Sequence, residues 1–159
     1  MNAVLPPPPI GPGTRTPDGG PLLRLRLIGL MEARTANGES VLPVGRKTRA
    51  LLAVVALSAP RPTLRSRLAE LLWSRRPEEQ ARASLRQEIH RLHEALSPAR
   101  EETVMVTRDH VTLYPGKVWV DAADVMSATR QNPAPLALLD GELLEGLQFL
   151  PVQTEADRP

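Results

Sequence analysis

Between Ala81 and Leu96 the chain reads ARASLRQEIHRLHEAL, and its polar residues are of the types that contact nucleic acid. Arg82, Arg86 and Arg91 carry planar guanidinium groups, which bind phosphate or the edge of guanine through two parallel hydrogen bonds. Ser84 and His90 suit phosphate, and the Gln87 amide suits a base edge. Leu85, Ile89, Leu92 and Leu96 recur at helical spacing and fall within roughly 60° of arc at about 100° per residue. The spacing therefore predicts a helix that docks on a core through one stripe and shows a basic, amide-bearing surface elsewhere. A solvated face on an ordinary helix has the same composition, so this stretch does not decide between the two readings.

The elements around that helix narrow the choice. LLRLRLIG alternates Leu23, Leu25 and Leu27 against arginine, which predicts a strand with one buried face. LMEARTA reads as a second strand, and Asn37-Gly38 as a hairpin turn. SVLPV, 40–44, reads as a third, short strand. A helix is expected from Arg46 to Ser58, with Ala50, Leu51, Val54, Val55 and Leu57 on its apolar face. Arg46, Lys47 and Arg49 crowd its first turn, where cations oppose the helix dipole, so a phosphate partner would explain them. A second helix is expected over about 64–73, with Leu64, Leu68, Leu71 and Leu72 as its stripe and Thr63 as its N-cap. Pro77, Glu78 and Glu79 open the third helix, and Pro98 stops it. TVMVTRDHVTLYP reads as a hairpin with Thr107 and Arg108 at its turn. KVWVDAADV reads as an extended link into a further helix. Three strands, three helices and a hairpin form the layout of a winged helix-turn-helix. In that fold the third helix enters the major groove and the hairpin wing lies against the neighbouring backbone or minor groove.

Charge supports a polyanion partner for the middle of the chain. The net charge of +2 is unevenly spread: residues 45–100 hold twelve basic and five acidic groups, while residues 101–159 hold four basic and ten acidic groups. The alternative is that the two halves neutralise each other. There is no cysteine, which removes disulfides and thiolate metal sites. His90 and His93 stand three apart without a third ligand, so no metal site is expected. No catalytic ordering of Ser, His and Asp, glycine-rich phosphate loop or paired carboxylate stands out, so no enzymatic activity and no cofactor are expected. Trp73 and Trp119 read as core or seam residues. No apolar run is long enough for a membrane span and no leader pattern stands at the N-terminus, so a cytoplasmic place is expected, at the nucleoid when bound to DNA.

These segments also carry a family likeness. GRKTRALLAVVALSAPRP, RLAELLW, RPEEQARASLRQEIHRLHEAL and VWVDAADV resemble the DNA-binding region of the Streptomyces antibiotic regulatory protein (SARP) family, which is of the OmpR/PhoB type. LDGELLEGL resembles the start of the bacterial transcriptional activator domain that follows in that family. The division implied is a Pro/Gly-rich disordered tail over 1–21, a winged-helix domain over 22–122, a helical remnant over 123–150 and a disordered tail over 151–159. The activator domain is normally a long helical array, and 123–150 is too short to bury the faces of one. The family often has serine at the cap of the second helix, where this chain has Leu64.

The resemblance implies a sequence-specific regulator of double-stranded DNA. In the family, protomers bind direct repeats at promoters as tandem copies and recruit RNA polymerase, so activation is the default. Recognition helices of this type use positions matching Ala83, Ser84, Arg86, Glu88 and Arg91. Arg86 and Arg91 are the candidates for base contact; Arg82, Ser84, Gln87, His90, Thr107, Arg108, Arg46, Lys47 and Arg49 complete the DNA-binding set. Glu88 must accept from cytosine or point away. Neutralising five phosphates would give a log–log salt slope of about −4.5. The segment 74–79 tends to face polymerase in such domains, which makes Arg75, Arg76, Glu78 and Glu79 its candidates there. The rival is an interaction module: a winged helix that does not bind DNA, or a short antagonist of a longer regulator. Burial of Arg86 and Arg91 in ion pairs with the acidic C-terminal part would favour that rival.

Overall fold

A computed structural model describes residues 21–97, 103–114, 116–127 and 143–145. The elements run β1 (Leu23–Arg26), β2 (Glu32–Thr35), α1 (Arg46–Ser58), β3 (Thr63–Leu64), α2 (Arg65–Leu72), α3 (Glu78–Ala95), β4 (Val104–Val106), β5 (His110–Leu113), β6 (Val118–Val120) and α4 (Asp121–Met126). This is the expected α+β winged helix-turn-helix: a three-stranded sheet, a trio of helices and a hairpin wing, except that only two of the sheet's strands are N-terminal.

The first sheet follows the leucine alternation on its inner face. Leu23, Leu25 and Leu27 are buried, while Arg24 and Arg26 are half-buried on the other side. β1 pairs antiparallel with β2, with Leu23 opposite Thr35. The turn beyond β2 uses Gly38 at φ +87°, a left-handed conformation that a side chain would strain. The third strand expected over 40–44 does not form. Only an Arg34–Ser40 bridge remains, with Val41 N donating to Ala33 O at 2.8 Å. Pro43 has no N–H for a ladder, and its carbonyl accepts from Arg49 Nε at 2.6 Å. The third place in the sheet goes to β6, parallel to β1, in the order β2-β1-β6. The stretch read as an extended link is thus a sheet strand.

The second sheet joins the wing to the helices. β4 and β5 form the expected hairpin, and β3 adds to β5 with Thr63 opposite Val111. This overturns the expectation that Thr63 caps α2. The cap position is Leu64, which makes no side-chain cap bond, and the Thr63 hydroxyl is buried without a partner among the described residues. The wing supplies the missing acceptor: Arg65 N donates to Asp109 O at 2.8 Å. Leu64 also leaves the expected stripe, being 49% exposed, because it belongs to β3.

α1, α2 and α3 pack against one another and α1 against β5, but Leu57, expected on the apolar face of α1, is 39% exposed. Leu85, Ile89, Leu92 and Leu96 of α3 are all buried, as the spacing predicts. They share the core with Leu51, Val55, Leu68, Leu72, Val104, Val111 and Leu113. Trp73 and Trp119 are buried too. Leu92→Ala is expected to cost about 2–5 kcal/mol, since a fully buried leucine leaves a cavity between packed helices. The measurement is the urea midpoint; an unchanged midpoint would remove Leu92 from the core.

The expectations for the tails over 1–21 and 151–159 and for a helix over 123–150 fall mostly outside the described residues. Pro21 is buried, and Leu143–Glu145 bridges 28–30, with Leu144 N donating to Leu27 O at 2.5 Å. None of the described helices is long and apolar enough to cross a membrane.

Candidate nucleic-acid interface

α3 presents a polar ridge because its opposite face is anchored in the core. Pro77 takes the cap position, one residue before the place expected, and the first-turn acids Glu78 and Glu79 suit the helix dipole. Arg82, Ala83, Arg86, Gln87, His90 and Arg91 are exposed along the ridge, and Ser84 is half-buried. Arg86 makes no hydrogen bond or ion pair among the described residues. Arg82 pairs with Glu78 at 2.7 Å, with both side chains well exposed. Such a pair is worth a few tenths of a kcal/mol and yields readily to a phosphate. His90 Nε2 lies 3.3 Å from Glu94.

Each flank of the ridge carries a cleft lined with arginine. The first, of about 490 Å³, lies between α3, the start of α2 and the wing, and is lined by Arg65, Arg82, Arg86 and Arg108. Arg65 Nη1 donates to Thr107 O at 3.1 Å, tying α2 to the wing. The Thr107 hydroxyl accepts from the Asp109 and His110 amides at 3.3 and 3.0 Å. That fixes the turn and leaves Arg108 exposed at its tip.

The second cleft, of about 540 Å³, lies between the start of α1, the α2–α3 turn and α3. Lys47, Arg75, Arg76 and Arg91 supply its cations. Lys47 Nζ donates to Leu72 O at the C-terminus of α2, and the ammonium sits 5.4 Å from the centre of the Trp73 ring. Partial burial holds this ammonium below the ordinary lysine range; Arg76 adds to the effect and Glu88 opposes it. Arg76 Nη1 donates to Ser84 Oγ at 2.6 Å. Lys47 and Arg49, expected as phosphate anchors, thus hold carbonyls of the chain itself. Arg46 stands exposed beside them. The polymerase candidates Arg75, Arg76, Glu78 and Glu79 are all exposed on the turn and the first turn of α3.

Arg65 and Glu88 also stand differently in the structure than the sequence implies. Spacing places Arg65 only off an apolar stripe; its role depends on the β3–β5 pairing, which no local signal announces. Glu88, expected to face a base or point away, turns inward. It accepts from Thr48 Oγ1 at 2.5 Å and from Arg91 Nη1 at 2.6 Å. A threonine on α1 forty residues earlier gives no sequence signal for that bond. Among the described residues, no group of three or more His, Cys, Asp or Glu is placed to hold a metal ion.

No family model matches the chain, and no curated protein matches it. Among solved structures it is similar to EmbR of Mycobacterium tuberculosis, determined in complex with a low-affinity phosphopeptide. The two are 23% identical with a TM-score of 0.64, over 82% of this chain and 39% of EmbR. The chain therefore matches about two fifths of that protein, and the phosphopeptide complex belongs to EmbR. What the likeness establishes for this chain is its fold alone, a winged-helix architecture shared with part of EmbR.

Proposed function

We propose that this chain is a sequence-specific, double-stranded DNA-binding transcriptional regulator that inserts α3 into the major groove. The observation that carries this reading is the exposed α3 ridge flanked on both sides by arginine-lined clefts. A ridge of one helix's width fits a groove of about 12 Å, with Arg65, Arg82 and Arg108 on one flank and Arg46 at the start of α1 to meet the phosphates. Arg86, Gln87 and Arg91 face base edges. Arg82, Ser84, His90, Arg65, Thr107, Arg108 and Arg46 serve the backbone. Among the described residues the basic ridge is exposed, and Arg91 pairs with Glu88 on its own helix. That disposition favours DNA over the rival interaction module. The same reading makes the protein a non-enzymatic regulator without a cofactor, acting in the bacterial cytoplasm and at the nucleoid. Tandem copies on direct repeats, and polymerase contact through the turn at Arg75, Arg76, Glu78 and Glu79, complete it as an activator.

The test is selection of bound sequences from random duplex DNA, followed by affinity measured against salt. Enrichment of one motif is expected. With Arg46, Arg65, Arg82 and Arg108 each neutralising a phosphate, the log–log slope should be about −3.6. Arg108→Ala should make the slope shallower by about one unit and leave the motif unchanged. A protein that enriches no motif at moderate salt does not have this function.

A further inference from the structure

Glu88 is the one acidic residue on α3 that is buried, with a side chain 10% exposed. A carboxylate in that position needs partners to offset its lost hydration. Thr48 Oγ1 donates to one oxygen at 2.5 Å and Arg91 Nη1 to the other at 2.6 Å. Thr48 is itself buried in α1, so the carboxylate is clamped to the core at one end. At the other end it holds a guanidinium whose side chain is 58% exposed. Arg91 lines both the second cleft and the outer surface of the ridge beside Arg86 and Gln87. Among the described residues, the other arginine pair on α3 is Arg82 with Glu78, in which both partners are exposed.

We propose that Glu88 is a positioning residue for DNA recognition: anchored by Thr48, it fixes the guanidinium of Arg91 in the orientation that meets the nucleic acid. The assignment rests on the DNA-binding reading above. An arginine has several rotatable bonds, and its planar fork binds a base edge or phosphate well only when aligned. A buried carboxylate on one guanidinium nitrogen selects the rotamer before DNA arrives and leaves the remaining donors for the ligand. Glu88 is thus a negative charge that helps a polyanion bind.

That sign separates the proposal from plain electrostatics. Removing a carboxylate beside DNA raises the positive charge and, by charge alone, tightens binding. Positioning predicts the reverse for the selected motif. Glu88→Gln keeps the shape and an acceptor for Thr48 but weakens the hold on Arg91. Glu88→Asp keeps the charge but shortens the reach. Both are expected to weaken binding to the selected duplex about three- to tenfold, while binding to random duplex stays equal or tightens with Glu88→Gln. In an Arg91→Ala background, neither change should weaken motif binding further. Thermal unfolding of each variant, and motif binding scaled to the folded fraction, separate this from loss of fold. Motif affinity equal to or tighter than wild type in Glu88→Gln overturns the proposal, as does an equal loss in the Arg91→Ala background. A wild type that enriches no motif overturns the DNA reading itself, an outcome visible before any variant is made.

Discussion

Arg86→Ala is expected to erase the preference for one base pair of the motif while leaving the fold intact. Arg86 is exposed and makes no hydrogen bond or ion pair among the described residues, so its removal orphans no partner. Surface changes of this kind shift stability by about 0.5 kcal/mol or less. A two-point contact to guanine is worth about 1–3 kcal/mol of discrimination, or roughly 5- to 150-fold between the right and the wrong base. Selection with the variant should therefore return the wild-type motif with one position flattened. Arg86→Lys sharpens the test, because it keeps the charge and loses the planar fork. If Arg86 reads a base, lysine should restore overall affinity better than the preference. If Arg86 meets a phosphate, lysine should restore most of the affinity, and neither variant should flatten any position. Full retention of the motif by Arg86→Ala, with affinity lowered equally on all sequences, would move Arg86 from the bases to the backbone.

The sequence makes some of this interface legible and hides the rest for identifiable reasons. Helical spacing of Leu85, Ile89, Leu92 and Leu96 places the core side of α3 and hence its exposed side. The hairpin around Thr107 and Arg108 is visible because β-branched residues flank a polar turn. What the pattern cannot supply is pairing between segments far apart. β6 lies beside β1, and β3 beside β5, through ladders whose partners are remote in the chain. The pairing of β3 converts Thr63 from a cap into a strand residue and brings Arg65 to the wing. The same limit applies to charged side chains. Lys47, Arg49 and Glu88 have surface-type chemistry, yet each is engaged by a backbone carbonyl or side chain of the chain itself. Composition gives the sign of the middle segment, and geometry decides which of its charges are available to a ligand.

Asp121→Ala is expected to be the most destabilising polar substitution in the domain. The Asp121 carboxylate is buried and accepts from Leu27 N at 2.8 Å and Ile28 N at 3.1 Å, where β1 ends. It also accepts from Ala122 N at 2.7 Å at the start of α4. Both residues whose amides it receives from the β1 side are buried, so water cannot easily replace it. Alanine would leave those N–H groups unsatisfied, and each orphaned donor costs about 1–3 kcal/mol. A loss of about 2–5 kcal/mol follows, a large part of the roughly 5–15 kcal/mol that holds a domain of this kind folded. Asp121→Asn keeps the volume and one acceptor oxygen but turns an N–H group towards the amides, so an intermediate loss is expected. The measurement is urea unfolding of both variants, with the midpoint compared at equal slope. None of the ridge residues bonds to Asp121, so the fraction that remains folded should select the wild-type motif. A midpoint unchanged by Asp121→Ala would mean that the end of β1 finds other acceptors, and that the β1–β6 junction does not depend on this carboxylate.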